Sequence, residues 1–146
     1  PILRALLRLR GRGVALPPVL MAGFLEDQAR VQAVRAMAEC AGFTGLTIVP
    51  AVRDIATLLE AAQFSVLASH SEGLPNVVLE AMALGRLVVS TRVGHVPWLV
   101  RDGQTGILCA PDDDEALAEA MLRALRMAPD QASSIGAAAR AHVLQE

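Results

Sequence analysis

Short runs of apolar residues alternate along the chain with longer segments in which apolar residues recur at helical spacing. The runs predict five strands, at Val19–Phe24, Leu46–Val52, Phe64–Ala68, Leu87–Ser90 and Gly106–Ala110. The periodic segments predict helices, and the helix after the first strand carries an apolar stripe formed by Val31, Val34, Ala38 and Ala41. Strands that are apolar throughout are typical of a sheet covered on both faces.

Individual residues predict where several helices begin and end. The chain opens with a helical pattern over Ile2–Leu9, and Asp54 is placed to cap the helix that follows the second strand. Gly42 and Gly85 follow the last periodic residue of their helices, where glycine commonly ends a helix. Two helices close the chain and are separated at Pro129.

The strict succession of strand and helix predicts the fold class. Parallel strands joined by right-handed helical crossovers form a sheet with helices on both sides. We therefore expect a doubly wound, Rossmann-like α/β fold. No repeat or low-complexity linker interrupts residues 1–146, which we expect to form one domain.

Composition and charge exclude several function classes. The formal net charge is -2 and the pI is near 5.9, which argues against a nucleic-acid partner. All 13 basic residues are arginine, so chemistry that needs lysine has no residue to use. Cys40 and Cys109 are expected to be buried, reduced thiols. No dinucleotide-binding G-x-G-x-x-G, P-loop or nucleophile-elbow motif is present.

Two loops are predicted at the carboxyl ends of strands, where doubly wound folds bind ligands. The first, "ASHSEGLPN", leads into a helix that we expect to have Pro75 in its first turn. Free N–H groups around Gly73, Leu74, Asn76 and Val77 would then make an anion site suited to a phosphate or diphosphate. The second loop, "TRVGHVP", follows the next strand.

Glu72 and Glu80 bracket this predicted anion site. A carboxylate that accepts from two adjacent hydroxyls suits a ribose diol, and a second carboxylate suits the hydroxyls of another sugar. The three features together describe a nucleotide sugar. The residues alone leave a second interpretation open, in which Glu72 only stabilises the helix dipole and Glu80 is an exposed helix residue.

The Glu72–Glu80 spacing, E-x7-E, stands within "LASHSEGLPNVVLEAMALGRLVVSTRVG", and "LVRDGQTGILCAPDD" follows it. These segments closely resemble the donor-binding, C-terminal half of family 4 glycosyltransferases, which are retaining enzymes of the GT-B fold. The resemblance implies that Glu80 binds the nucleotide ribose and that Glu72 is the catalytic-site carboxylate that binds the transferred sugar. It implies that residues Gly73, Leu74, Pro75 and Asn76 hold the distal phosphate, and that the backbone at Ala51 and Val52 contacts the base. No metal or other cofactor is implied.

The resemblance also implies partners and a location. The partners are a nucleoside-diphosphate sugar and an acceptor that is a lipid, a glycan or a small molecule. The protein is expected in the cytoplasm or at the cytoplasmic face of a membrane. Transfer would retain the anomeric configuration, with a donor phosphate oxygen assisting the incoming hydroxyl.

The sequence departs from the family pattern in three respects. The strand and turn with the Arg and Lys that grip the diphosphate would precede Ile2, and that first strand, the closing helix and the acceptor domain are expected to be missing. A sheet without its central strand could be loosely folded, rearranged or self-associated. In "VGHVPW", His95 and Trp98 replace a glycine and an acid of the family pattern. We expect Trp98 to pack rather than bind.

Further residues and alternative functions complete the hypothesis. Candidate cleft residues are His70, Arg92, Gly94 and His95. The acidic run "DDDE" is interpreted as a capping box, with Asp112 as N-cap and Glu115 in the first turn, rather than as a metal cluster. The alternative functions are a non-catalytic nucleotide-sugar-binding or scaffold module and a GT-B sugar-nucleotide epimerase.

Overall fold

The computed structural model describes residues 1–23 and 27–145. Phe24, the last residue of the first predicted strand, lies outside the described residues. The helices are α1 (Ile2–Gly11), α2 (Gln28–Cys40), α3 (Ile55–Ala61), α4 (Asn76–Ala83), α5 (Val96–Leu99), α6 (Asp114–Arg126) and α7 (Pro129–Val143). The strands are β1 (Val19–Gly23), β2 (Leu46–Pro50), β3 (Ser65–Leu67), β4 (Val88–Thr91) and β5 (Ile107–Cys109). The short helix α5 is the one element that the sequence pattern did not predict.

Local signals set most of the element ends. Gly42 and Gly85 follow α2 and α4 with φ of 61° and 68°, in the left-handed region that glycine enters without a steric penalty. The carboxylate of Asp54 caps α3 by accepting from the Thr57 backbone N–H at 3.1 Å. These three predictions are confirmed. The expectation that both cysteines are buried is correct for Cys109 and wrong for Cys40, which is exposed near the end of α2.

One cap differs from its prediction. Asp113, not Asp112, caps α6, because its carboxylate accepts from the N–H groups of Glu115 and Ala116, both at 2.9 Å. Asp112 instead has φ of 57° and turns the chain into the cap. The carboxylate of Asp114 pairs with Arg4, so the three aspartates have three separate structural roles.

All the strand pairings are parallel, as the doubly wound fold requires, but the strands form two sheets. One sheet has the order β1–β2 and the other the order β3–β4–β5. Among the described residues, no ladder joins β1 or β2 to the larger sheet. The α/β class with parallel strands is confirmed, and within residues 1–23 and 27–145 the strands form two sheets rather than one.

The larger sheet is covered on both faces; β4 and β5 are fully buried, and β3 is half-buried. On one face Val89 and Ile107 pack with Leu6 and Leu9 of α1 and with Leu117 of α6. On the other face the core contains the following residues of the sheet and of α4, α5 and α7: Val88, Leu108, Val78, Met82, Leu99 and Ala139. Neighbouring residues of β4 thus enter opposite clusters, and helices cover both faces as predicted.

Ion pairs add a second connection between α1 and α6. Arg4 Nε donates to Asp114 at 2.5 Å, and Arg8 lies 3.5 Å from Glu115. Arg12 bonds both Glu115 and Glu119. The hydrogen bond from Arg4 lowers the pKa of the Asp114 carboxyl. These pairs are partly or largely exposed, so each adds little stability in water.

Candidate functional site

The loop that enters α4 is anchored to the end of β4. The buried hydroxyl of Thr91 accepts from the Ser69 N–H at 3.2 Å and donates to the Ser69 carbonyl at 2.9 Å. Because β3 and β4 are parallel neighbours, their carboxyl ends meet at one edge, where Ser69 and Thr91 can pair. The loop that begins the candidate site is therefore fixed to the larger, better-packed sheet.

Glu72 is held by that anchored loop. Its Oε1 accepts a hydrogen bond from the Ser69 hydroxyl at 2.5 Å. Gly94, with φ of 51°, lies against the Glu72 backbone so closely that a Cβ there would come within 1.7 Å of the Glu72 carbonyl oxygen. The His95 N–H also donates to the Gly73 carbonyl at 3.3 Å. The second predicted loop therefore supports the first.

The N-terminus of α4 is open at the protein surface. Pro75 is buried and stands at the N-cap, one position before the first helical turn in which it was predicted. Its carbonyl accepts from Val78 and Leu79, while the N–H groups of Asn76 and Val77 have no partner among the described residues. Leu74 is 52% exposed.

Gly73 leaves room directly before this helix tip. A Cβ built at Gly73 would have nothing within 4 Å. The protein itself therefore does not require glycine here for steric reasons. A ligand that approaches the tip closely would require it.

Glu80 lies one helical turn beyond Asn76 on the exposed side of α4, because residues four apart share a helix face. The rise over four residues is about 6 Å. The structure records no hydrogen bond or ion pair to the Glu80 side chain within the described ranges. The Glu80 carboxylate is thus available at the surface, on the helix face that also carries Asn76.

The other residues predicted to contact the donor are not connected to the α4 tip by recorded contacts within the described residues. Ala51 and Val52 are exposed and come directly after β2, in the smaller sheet. Arg92 is exposed, and its N–H donates to the Cys109 carbonyl at 2.9 Å. No contact recorded in the described parts of the chain links these three side chains to the tip.

His70 has a partner that sequence reasoning did not identify. Its Nδ1 bonds the carboxylate of Asp112, which follows β5. Both side chains are largely exposed. The pair connects the loop after β3 to the loop after β5 across the end of β4.

Trp98 packs only in part, against the expectation: the residue is 52% exposed, and its ring lies 6.2 Å from the ring of His142. With Gly73, Leu74 and His95, Trp98 lines a cleft of about 410 Å³ beside the α4 tip. Sequence reasoning also missed Ser69 and Thr91. A serine three residues before Glu72 was the only signal for the former, and spacing alone does not reveal Thr91.

No helix in the described residues is long and apolar enough to cross a bilayer. Within residues 1–23 and 27–145, no group of three or more His, Cys, Asp or Glu side chains is arranged to hold a metal ion.

Comparison with known families matches residues 2–127 to the family described as "Glycosyl transferases group 1". The chain belongs to this family. A D-inositol 3-phosphate glycosyltransferase from Mycobacterium avium is 40% identical over 89 residues, which are 61% of this chain and 21% of that protein. The chain thus spans about a fifth of the length of this curated relative.

Solved glycosyltransferases share the fold. A glycosyltransferase from Rickettsia africae superposes with a TM-score of 0.90 at 23% identity, over 98% of this chain and 38% of that one. The Anabaena protein HepE, crystallised with UDP and glucose, superposes with a TM-score of 0.87 at 22% identity, over 99% of this chain and 39% of that one. At these identities the similarity establishes the fold alone, which is that of part of a GT-B glycosyltransferase.

Proposed function

We propose that the chain forms the donor-binding part of a retaining, family 4 glycosyltransferase that transfers a glycosyl group from a nucleoside-diphosphate sugar. The observation that carries this proposal is the open tip of α4. The N–H groups of Asn76 and Val77, which have no partner in the part of the chain that the structure describes, stand beside Gly73, where a Cβ would meet no protein atom within 4 Å. Backbone N–H groups and the helix dipole favour a diphosphate at that position.

The two carboxylates extend the proposal from a phosphate to a whole donor. Glu72 has one oxygen fixed by Ser69, so its other oxygen remains to accept from hydroxyls of the transferred sugar. Glu80, about 6 Å farther along the helix, suits the 2′,3′-diol of the ribose. The order sugar, diphosphate, ribose is the order in which these groups are joined in a nucleotide sugar.

The similarity to known glycosyltransferases also supports the assignment of donor binding. The Anabaena protein of the same fold was crystallised with UDP and glucose, which makes UDP the first nucleotide to test. Because the chain spans about a fifth of its curated relative, we assign donor binding to it and leave the acceptor open. We propose that the base contacts the backbone at Ala51 and Val52.

Calorimetry with UDP, and with GDP for comparison, tests the proposal. We expect Glu80→Ala to weaken binding by about 1–3 kcal/mol, or about 5- to 150-fold, because a charged acceptor for two hydroxyls is lost. Glu60→Ala, which removes an exposed glutamate of α3, is the matched control and should bind as wild type does. Equal affinity of the Glu80→Ala protein and wild type would contradict the ribose assignment.

Gly73→Ala tests the tip independently of charge. The added methyl group meets no protein atom within 4 Å, so we expect the free energy of unfolding to stay unchanged. The same methyl group would stand where the diphosphate approaches the backbone, so UDP binding should fall several-fold. Gly11→Ala, also open at its Cβ position, is the control. Unchanged UDP affinity in Gly73→Ala would place the phosphates elsewhere.

A further inference from the structure

A chain of hydrogen bonds leads from the end of β4 to the carboxylate of Glu72. It begins at Thr91, which is 4% exposed and whose backbone pairs with Cys109 of β5. The Thr91 hydroxyl accepts from the Ser69 N–H at 3.2 Å and donates to the Ser69 carbonyl at 2.9 Å. The Ser69 hydroxyl then donates to Glu72 Oε1 at 2.5 Å. The position of the carboxylate is therefore set from the sheet, through two hydroxyl groups.

Both steps of this chain depend on hydroxyl groups. A threonine hydroxyl can donate and accept at the same time, which is how Thr91 fixes both backbone groups of Ser69. Valine is similar to threonine in shape but can do neither, whereas serine can do both. Alanine at position 69 would release the Glu72 carboxylate and keep the backbone bonds to Thr91. The two steps can thus be removed one at a time.

A second constraint acts on the backbone of Glu72. Gly94 lies so close to it that a Cβ there would come within 1.7 Å of the Glu72 carbonyl oxygen. The residue is therefore held both at its carbonyl and at one carboxylate oxygen before any ligand binds. A side chain that is already ordered loses less conformational entropy when it binds a ligand.

The nucleotide half of the proposed donor site is separate from this chain of bonds. It consists of the N–H groups of Asn76 and Val77 and the carboxylate of Glu80, all on α4. No hydrogen bond or ion pair recorded in residues 1–23 and 27–145 joins these groups to Ser69 or Thr91. A change at Ser69 should therefore reach the sugar end of the donor and leave the nucleotide end as it is.

We propose that Ser69 and Thr91 are positioning residues, which act through Glu72 to make the site prefer a sugar-bearing donor over the free nucleoside diphosphate. This inference rests on the proposed function, because it needs Glu72 to bind the transferred sugar. Transfer of that sugar leaves the nucleoside diphosphate in the site. The preference would then favour replacement of this product by a new donor.

The test is calorimetry with a sugar donor and with its own diphosphate, and the quantity measured is the ratio of the two affinities. The nucleotide that binds more tightly decides the pair, which is UDP-glucose with UDP or GDP-mannose with GDP. Ser69→Ala should lower the ratio about three- to tenfold at unchanged diphosphate affinity, because Glu72 loses its fixed orientation. Ser69→Thr keeps the hydroxyl and should recover most of the loss. Thr91→Val should act in the same direction as Ser69→Ala, and Thr91→Ser should not.

Two control variants separate this role from a general stiffening of the loop. Asp112→Gly removes the carboxylate that bonds His70, the residue after Ser69, and glycine accommodates the φ of 57° at that position. Ser134→Ala removes an exposed hydroxyl of α7. Both should keep the ratio of wild type, since neither side chain bonds Glu72. A loss in Asp112→Gly as large as in Ser69→Ala would assign the effect to the loop and overturn the positioning role.

The remaining outcomes distinguish this inference from the proposed function. An unchanged ratio in Ser69→Ala, or an equal fall in affinity for the donor and the diphosphate, overturns the positioning role while the donor site stands. Failure of wild type to bind UDP or GDP overturns the proposed function and this inference with it. Urea unfolding of each variant identifies any loss of fold, and Ser69→Ala decides the question if Thr91→Val does not fold.

Discussion

The strands of the larger sheet, β3–β4–β5, and of the smaller sheet, β1–β2, are similarly apolar but are packed differently in the fold. Both contain strands that are mostly apolar. Every residue of β4 and β5 is buried, whereas β1 and β2 consist of half-buried and exposed residues, with Leu20 44% exposed. The difference lies in what covers them. Helices pack on both faces of the larger sheet, while α2 contributes a single buried residue, Ala38.

This difference has a consequence for the candidate site. The loop that carries Gly94 and His95 leaves β4, which is fully buried, and the Glu72 loop leaves the half-buried β3 and is anchored to β4 through Thr91. The proposed base contact at Ala51 and Val52 leaves β2, in the less buried sheet. We expect the diphosphate and sugar end of a donor to meet a rigid surface, and the base end a more adaptable one.

The largest expected effect is on the free energy of unfolding, and it comes from the close contact between α7 and the turn after α4. A Cβ at Gly136 of α7 would come within 2.0 Å of the Gly85 carbonyl oxygen. Gly136→Ala should therefore lower the free energy of unfolding by about 3 kcal/mol in urea denaturation. Gly23→Ala in β1, where an added Cβ meets nothing within 4 Å, should change it by less than about 0.5 kcal/mol. A loss in Gly23→Ala as large as in Gly136→Ala would remove the contrast between the two regions.

A matched pair of strand valines measures the same contrast with less perturbation. Val89 of β4 is 0% exposed, whereas Val49 of β2 is only partly buried. Val89→Ala should cost about 2 kcal/mol, from lost burial and the cavity left behind, and Val49→Ala about half as much. Urea unfolding monitored by far-UV circular dichroism gives both values. Equal losses would show that the smaller sheet is as well packed as the larger one.

The smallest expected effect is on acid stability. The Arg4 hydrogen bond lowers the pKa of Asp114, and the Thr57 hydroxyl lowers the pKa of Asp54. A carboxyl with a lowered folded-state pKa stabilises the fold above its unfolded pKa of about 3.9, and this contribution is lost as pH falls through the folded value. Thermal melts between pH 6 and pH 3 should therefore show a shallower acid loss in Asp114→Asn than in wild type.

Asp54→Asn completes that comparison, because Asp54 caps α3, which follows the smaller sheet. We expect Asp114→Asn to flatten the acid loss of the global transition, since the Arg4 pair joins α1 to α6 in the main core. Asp54→Asn should act chiefly on α3, seen as faster amide exchange there. An acid loss that is identical in wild type and both variants would exclude a role for these two carboxylates.

Apart from the short helix α5, the order and type of the elements were determined by the sequence alone. The signals that define these elements depend only on residues close in sequence, so they can be interpreted without the fold. They are the spacing of apolar residues, Asp54 at the start of a helix, and Gly42 and Gly85 at the ends of helices. The same holds for the loop from Glu72 to Asn76, whose helix tip depends on local backbone geometry. These features were confirmed, with shifts of one or two residues at element ends.

Only the tertiary structure decided which apolar residues are buried and which polar groups meet. Val49 and Val89 occupy similar sequence patterns, yet one is partly exposed because few elements pack on β2. Ser69 meets Thr91 because the carboxyl ends of two neighbouring strands lie at one edge of the sheet, and the exposure of Trp98 was likewise visible only in the fold. Such contacts join residues distant along the chain, and their energies depend on what else occupies the surrounding space, which no local pattern contains.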